Sequence, residues 1–236
     1  MRVLELFAWS RSIWKVWEKL WMEVFSIDYT PYDNINLVTD IYNLKKEDIP
    51  FVPDILWASP DCTTYSIAAC KHHRFPDKNA RSDYAKQCDE WNQHWLKLMK
   101  EWLEINPNMI FFIENPRGNM RHMEFMKEFN RHTVWYCQYW DKHEYIDKAW
   151  EKQVSIRAKP TDIWTNSKTW TPRPMCRNYK YDKEWNIIDR HCNHDSARRW
   201  SQTWTQWLKN AHERSKIPEE LCLEILKSTV CEKKNQ

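Results

Sequence analysis

The chain has 236 residues with a net charge of +3 and, against one glycine, 17 tryptophans. A chain of this length ordinarily carries about 16 glycines and about three tryptophans. The tryptophan surplus nearly matches the glycine deficit, which excludes collagen, Gly/Ser linkers and a glycine-cradled phosphate loop. With 42% hydrophobic and 29% charged residues, the composition is that of a globular chain with one sizeable core, and its small positive charge permits nucleic-acid binding without requiring it.

No apolar run reaches 18 residues, and an acid, Glu5, stands in the opening Met1-Arg2-Val3-Leu4-Glu5-Leu6-Phe7. The expectation is a cytoplasmic chain with no membrane span or secretory signal. The eight cysteines are widely spaced and read as reduced thiols rather than a disulfide framework.

In chain order, Val3–Phe7 predicts a short buried strand, and Ser10 a cap before the helical spacing Ile13, Val16, Trp17, Leu20. Further strands are expected at Met22–Ile27, Asn36–Asp40 and Asp54–Ala58, three of these first four strands having a carboxylate at or just beyond the end. Ala80–Glu104 predicts a long amphipathic helix, Met109–Ile113 the strongest strand, Asn119–Phe129 a helix and Thr133–Cys137 another strand. From Trp140 to Arg199 the pattern loosens into charged, proline-containing stretches, and Ser215–Glu220 resets to a helix with Pro218 in its first turn. Alternating strands and helices imply a parallel α/β sheet whose ligands bind at the carboxyl ends of the strands.

Two segments place chemistry there. In Trp57-Ala58-Ser59-Pro60-Asp61-Cys62 a thiol follows a buried strand in a polar loop, and in Ile113-Glu114-Asn115-Pro116-Arg117-Gly118 a carboxylate ends the next strong strand beside the single glycine. Alone, each has a plainer explanation, a small buried hydrophobe or a solvated acid. Together they read as a nucleophile and a proton donor facing one substrate.

Through these segments the chain resembles the cytosine-5 DNA methyltransferase family, most closely its short phage-type members. Phe7-Ala8-Trp9-Ser10 resembles the first cofactor loop, and Asp28 and Asp40 match the acids that lie near the cofactor's ribose and adenine. Ser59-Pro60-Asp61-Cys62 resembles the nucleophile loop, Glu114-Asn115-Pro116 the glutamate segment, and Gln153 with Arg157 part of a later arginine motif. Asn210-Ala211 through Ile217-Pro218 resembles the C-terminal segment that completes the cofactor pocket.

The resemblance implies a Rossmann-like S-adenosylmethionine-dependent methyltransferase core over 1–140, a small target-recognition lobe over 141–199, and a C-terminal segment, 200–236, packing back on the core. It implies S-adenosylmethionine at Phe7, Trp9, Asp28, Asp40 and Pro60, with double-stranded DNA presenting a flipped cytosine as partner. Cys62 would add to carbon 6 of the ring, Glu114 would protonate nitrogen 3, Arg157 would orient the base, and no metal would take part.

The chain departs from the family where Trp9, Trp14, Trp21, Trp140, Trp200, Trp204 and Trp207 stand in place of glycine, and where Asp61 replaces a proline. An indole at Trp9 narrows the cofactor loop, and Asp61 opposes thiolate formation. The exchange of the smallest residue for the largest reads as an engineered or artificially altered sequence. Two other readings start elsewhere. Cys176, His191, Cys192 and His194 are metal-ligand types in one loop-rich stretch and suggest structural zinc. Lys168–Arg173 and Arg198-Arg199-Trp200 interleave bases with aromatics, as a non-catalytic nucleic-acid binder on the same scaffold would.

Overall fold

The computed structural model describes residues 1–146, 150–176, 179–190, 192, 212 and 215–234. Its centre is a seven-stranded sheet made of β1 (Arg2–Leu6), β2 (Glu23–Asp28), β3 (Leu37–Val38), β4 (Ile55–Ala58), β5 (Ile110–Pro116), β6 (Arg131–Trp135) and β9 (Pro160–Thr165). The strand order is β3-β2-β1-β4-β5-β9-β6. Neighbours from β3 through β5 are parallel, whereas β9 runs antiparallel to both β5 and β6. Two hairpins stand apart, β7 (Lys142–Ile146) with β8 (Lys152–Ile156) and β10 (Tyr179–Tyr181) with β11 (Ile187–Arg190).

Helices cover both faces, as parallel strands require. On one face α1 (Ser12–Glu18) and α4 (Glu219–Lys234) pack Ile13, Trp17, Leu221 and Ile225 against Val3, Ile55, Trp57 and Phe112. On the other, α3 (Asp83–Ile105) lays Trp95, Met99 and Trp102 over Leu4, Leu56 and Phe111. The short α2 (Cys70–His73) precedes α3, whose N-terminus is capped by Ser82 accepting from the Ala85 N–H. The result is a doubly wound, Rossmann-like α/β fold. The chain winds outward from β1 to β3 and then returns to the other side of β1, so the switch point lies between β1 and β4. No helix among the described residues is long and apolar enough to cross a membrane.

Several expected elements differ. Asn119–Phe129 is not an α-helix but two 3-10 turns, Asn119–His122 and Glu124–Met126. Met120, Met123 and Met126 are buried at a spacing of three, which a 3-10 pitch aligns on one side. The third strand shrinks to two residues, and β6 ends at Trp135, where a 3-10 turn over Tyr136–Tyr139 begins. Ser10 is not the cap of α1: that position belongs to Arg11 in a left-handed conformation, while the Ser10 and Ser12 hydroxyls pair with each other.

Pro160–Thr165 lies inside the stretch whose composition reads as loop, yet it is a buried central strand. Hydropathy hides it because its polar groups are satisfied internally. The Asp162 carboxylate accepts from Arg121 Nε at 2.9 Å and Thr133 Oγ1 at 2.8 Å, and Thr165 Oγ1 donates to the Phe111 carbonyl at 2.6 Å.

Four tryptophans, Trp21, Trp140, Trp150 and Trp185, take positive φ of 56° to 67°, a region that burdens any side chain with a β-carbon. All four are exposed. The single glycine, Gly118, is extended instead, and it is small for a different reason: a β-carbon there would lie 2.5 Å from the Tyr65 carbonyl oxygen.

Candidate active site

The sheet register aligns the strand ends. Leu6 of β1 pairs with Ile27 of β2 and Ala58 of β4, and Ala58 pairs with Ile113 of β5. The next residue on each strand is therefore Phe7, Asp28, Ser59 and Glu114, one row along the carboxyl edge that spans the switch point, where ligands bind in folds of this kind. Asp28 and Glu114 stand on opposite sides of that point.

On the β1–β2 side, Phe7 leaves its strand at a φ of 58° and meets Trp95 edge to face at 6.0 Å. The Asp28 carboxylate is buried and accepts from the Thr30 N–H at 2.9 Å. Burial raises its pKa, opposed by backbone N–H groups of Thr30, Tyr29 and Trp9. The Trp9 backbone thus reaches the acid, while its indole faces outward, 36% exposed, against the His212 ring. Asp40 lies two residues beyond β3, exposed, and its carboxylate accepts from the Tyr42 N–H as the cap of a 3-10 turn.

On the β4–β5 side, buried Pro60 and Asn115 join the two loops: the Asn115 amide donates to the Pro60 carbonyl at 2.9 Å. Asn115 Oδ1 is buried with no hydrogen-bond partner among the described residues. The 3-10 turn Thr63–Tyr65 follows Cys62 and is fixed beneath by Arg74, whose guanidinium binds the Asp89 carboxylate through two nitrogens and lies 4.4 Å from the Tyr65 ring. The Asp61 carboxylate faces this turn, accepting from the Thr63 N–H, the Thr63 hydroxyl and the Tyr84 hydroxyl.

Cys62 is half-buried. Burial, then the charge of Asp61, push its thiol up to about 11, with Lys159 pulling down and Glu114 adding to the rise. The buried Glu114 carboxylate accepts from the Tyr136 hydroxyl at 2.9 Å and faces the Lys159 ammonium at 3.7 Å. Burial lowers the Lys159 pKa, opposed by Glu114, and raises that of Tyr136 far above the ordinary phenol range. Arg157 is also buried. Its Nε donates to Asp141, a second guanidinium nitrogen donates to the Lys216 carbonyl at 3.2 Å, and its carbon lies 5.7 Å from the Tyr136 ring.

The structure therefore gathers Cys62, Glu114 and Arg157 around Tyr136 and Lys159, with Pro60 tied to Asn115, the neighbour of Glu114. Phe7 and Asp28 share the edge across the switch point, and Asp40 and the Trp9 indole lie at its margin. Sequence reading missed Lys159 and Tyr136. Lys159 precedes a proline in a segment that reads as loop, and Tyr136 reads as the interior of a strand. The polar burial of β9, which carries Lys159 in beside Glu114, is visible only in the sheet.

The suspected metal ligands divide. Cys176 and Cys192 are buried together, joined by Cys137, whereas His191 and His194 lie outside the described residues, as do Trp200, Trp204, Trp207, the Arg198-Arg199-Trp200 run and Asn210-Ala211.

No protein-family model matches the chain, and no curated protein matches it. Among solved structures, the Entamoeba histolytica methyltransferase EhMeth is similar at a TM-score of 0.46 with 14% identity, over 74% of this chain and 56% of that one. A mutant of Spodoptera frugiperda DNMT2 is similar at a TM-score of 0.44, also with 14% identity, over 79% of this chain and 56% of that one. The chain spans a little over half the length of each of these two methyltransferase structures.

Proposed function

We propose that this chain is an S-adenosylmethionine-dependent transferase that methylates carbon 5 of cytosine in duplex DNA. The observation that carries the reading is the joining of the Cys62 and Glu114 loops by the Asn115–Pro60 hydrogen bond at the carboxyl edge of adjacent strands, with Lys159 and Tyr136 on the carboxylate.

Carbon 5 of cytosine is a weak nucleophile. The Cys62 sulfur, its proton released to solvent, adds to carbon 6 while Glu114 delivers a proton to ring nitrogen 3, giving an enamine able to take a methyl at carbon 5. Loss of the carbon-5 proton, return of the nitrogen-3 proton to Glu114 and elimination of the sulfur then restore the ring. Glu114 is buried, hydrogen-bonded by Tyr136 and close to Lys159, so its carboxyl group is held in one place against a flipped base. Arg157, held by Asp141, lies over the Tyr136 ring and supplies positive charge to the same wall. The half-buried Phe7 and the carboxylate of Asp28, with Asp40 beyond, suit a nucleoside: an aromatic face for the ring and acceptors for ribose hydroxyls. When bound, S-adenosylmethionine supplies the methyl group. The Asn115 Oδ1 acceptor, buried beside the same loops, has no hydrogen-bond partner among the described residues and suits a ligand N–H.

The alternative is a nucleic-acid binder without turnover, favoured by the rise of the Cys62 thiol to about 11. DNA carrying 5-fluorocytosine separates the two, because fluorine at carbon 5 blocks the elimination that frees the enzyme. The expected result is a covalent adduct in the presence of S-adenosylmethionine, abolished by Cys62→Ser. DNA binding without an adduct establishes the binder, and an adduct that survives Cys62→Ser identifies a different nucleophile.

A further inference from the structure

Outside the candidate active site, Cys137, Cys176 and Cys192 form a buried cluster whose sulfurs all lie within 4.8 Å of one another. They come from three places: the 3-10 turn after β6, the extended chain after Trp170, and the end of the β10–β11 hairpin. Trp135, Ala158 and Ile156 close around them.

The spacing is informative. Cys176 Sγ and Cys192 Sγ are 3.6 Å apart, far beyond the roughly 2.05 Å of a disulfide. Tetrahedral bonds of about 2.3 Å to zinc place sulfurs about 3.8 Å apart, close to the separation seen. Three thiols in an apolar pocket are weak hydrogen-bond partners for one another. As thiolates on a shared cation they form strong bonds and cross-link three segments.

We propose that Cys137, Cys176 and Cys192 are thiolate ligands of a structural zinc ion. Each thiol gives up its proton to solvent as its sulfur bonds to the metal, and no oxidation is involved. The ion fastens the β10–β11 hairpin to the end of β6, one residue from Tyr136, which holds Glu114. Structural zinc takes four ligands, so one position lies beyond these three sulfurs.

The test uses the full chain, produced with zinc and purified without chelator. Elemental analysis is expected to find one zinc per chain. Replacement by Co2+ should give the intense sulfur-to-cobalt absorption of thiolate ligation. Alkylation followed by peptide mapping should find the three cysteines protected until a chelator is added, while exposed Cys231 reacts either way. Cys137→Ser should lower retained metal at least tenfold and Cys231→Ser should leave it unchanged. Absence of metal together with absence of the cobalt band overturns the proposal, as does alkylation of the three thiols that is indifferent to chelator. Because these two readouts use the unaltered chain, a variant that fails to fold does not obscure the result.

A second inference rests on backbone angles. Among the described residues tryptophan accounts for four of the eight non-glycine residues with positive φ, although it supplies only 17 of the 236 residues of the sequence, and these four indoles are 53% to 96% exposed. Left-handed, exposed turn positions are where glycine is the unstrained choice. The codon UGA differs by a single base from both the tryptophan codon UGG and the glycine codon GGA. We infer that Trp21, Trp140, Trp150 and Trp185 are encoded by UGA and are glycine in the cell that natively makes the protein, whereas packed Trp57, Trp95 and Trp164 are encoded by UGG. Sequencing the gene and mass-mapping peptides of the native protein decides it. UGA codons with glycine in the peptides at the four turn positions support the inference. UGG codons there, or tryptophan in the native peptides, overturn it.

Discussion

The side-chain amide of Asn115 donates to the backbone carbonyl of Pro60 at 2.9 Å, so the loop that carries Cys62 and the strand end that carries Glu114 are set against each other by one buried hydrogen bond. Asn115→Ala leaves the Pro60 carbonyl without this donor and should cost about 1–3 kcal/mol of stability. Denaturant unfolding measures the loss. A larger fall in the rate of 5-fluorocytosine adduct formation than stability alone explains would show that the bond sets the distance between thiol and carboxyl.

Gly118 sits where that same segment meets the 3-10 turn after Cys62. Its missing β-carbon would lie 2.5 Å from backbone, the Tyr65 carbonyl oxygen, which cannot swing aside as a side chain can. Gly118→Ala should destabilise by about 1–3 kcal/mol, as overpacking does, although its extended φ of −160° accepts alanine. A thermal midpoint unchanged by the substitution would contradict the close approach.

The Cys62 thiol, pushed up to about 11 by burial and by Asp61, should be alkylated slowly at pH 8, with a rate still climbing at pH 10. Asp61→Asn removes the like charge and should shift that profile toward lower pH. Peptide mapping after brief iodoacetamide exposure separates Cys62 from exposed Cys231. A plateau below pH 9 in the unaltered chain would rule out the raised thiol.

Glu5 lies buried next to the last residue of β1, hydrogen-bonded by Ser26 at 3.0 Å, and burial raises its pKa to about 7. From the ordinary carboxylate value of 4.5 up to about 7, the folded chain retains a proton that the unfolded chain has released. Stability must then fall as pH rises through that window, by about 3 kcal/mol in total. Glu5→Gln should flatten the decline and leave the protein more stable than the unaltered chain at pH 8. Urea unfolding at pH 5 and pH 8 checks both.

The exposed tryptophans at left-handed positions are expected to be stabilised by glycine. Trp21→Gly and Trp185→Gly should each gain about 1 kcal/mol, because the strain of a β-carbon at positive φ outweighs the extra freedom glycine gives the unfolded chain. Trp95→Gly, in the buried core, should instead cost more than about 3 kcal/mol. Thermal unfolding of the three variants provides the comparison.

The parallel part of the sheet was legible in the chain because strands alternate with helices along it, apolar runs such as Ile110–Ile113 marking the strands. The same runs marked the strand ends, and with them Cys62, Glu114, Phe7 and Asp28. Periodicity carried no such message for β9, where Thr161, Asp162 and Thr165 are buried by pairing with Arg121, Thr133 and the Phe111 carbonyl. Lys159, at the entrance to β9, therefore became a neighbour of Glu114 only through the sheet order. The three-sulfur cluster followed the same rule. The sequence showed Cys176 and Cys192 in one loop-rich stretch, but Cys137 joined them because the chain folds back past the end of β6. A sequence determines hydrophobic period and residue chemistry locally, whereas the long-range approach of polar groups depends on which strands become neighbours, and only the tertiary structure decides that.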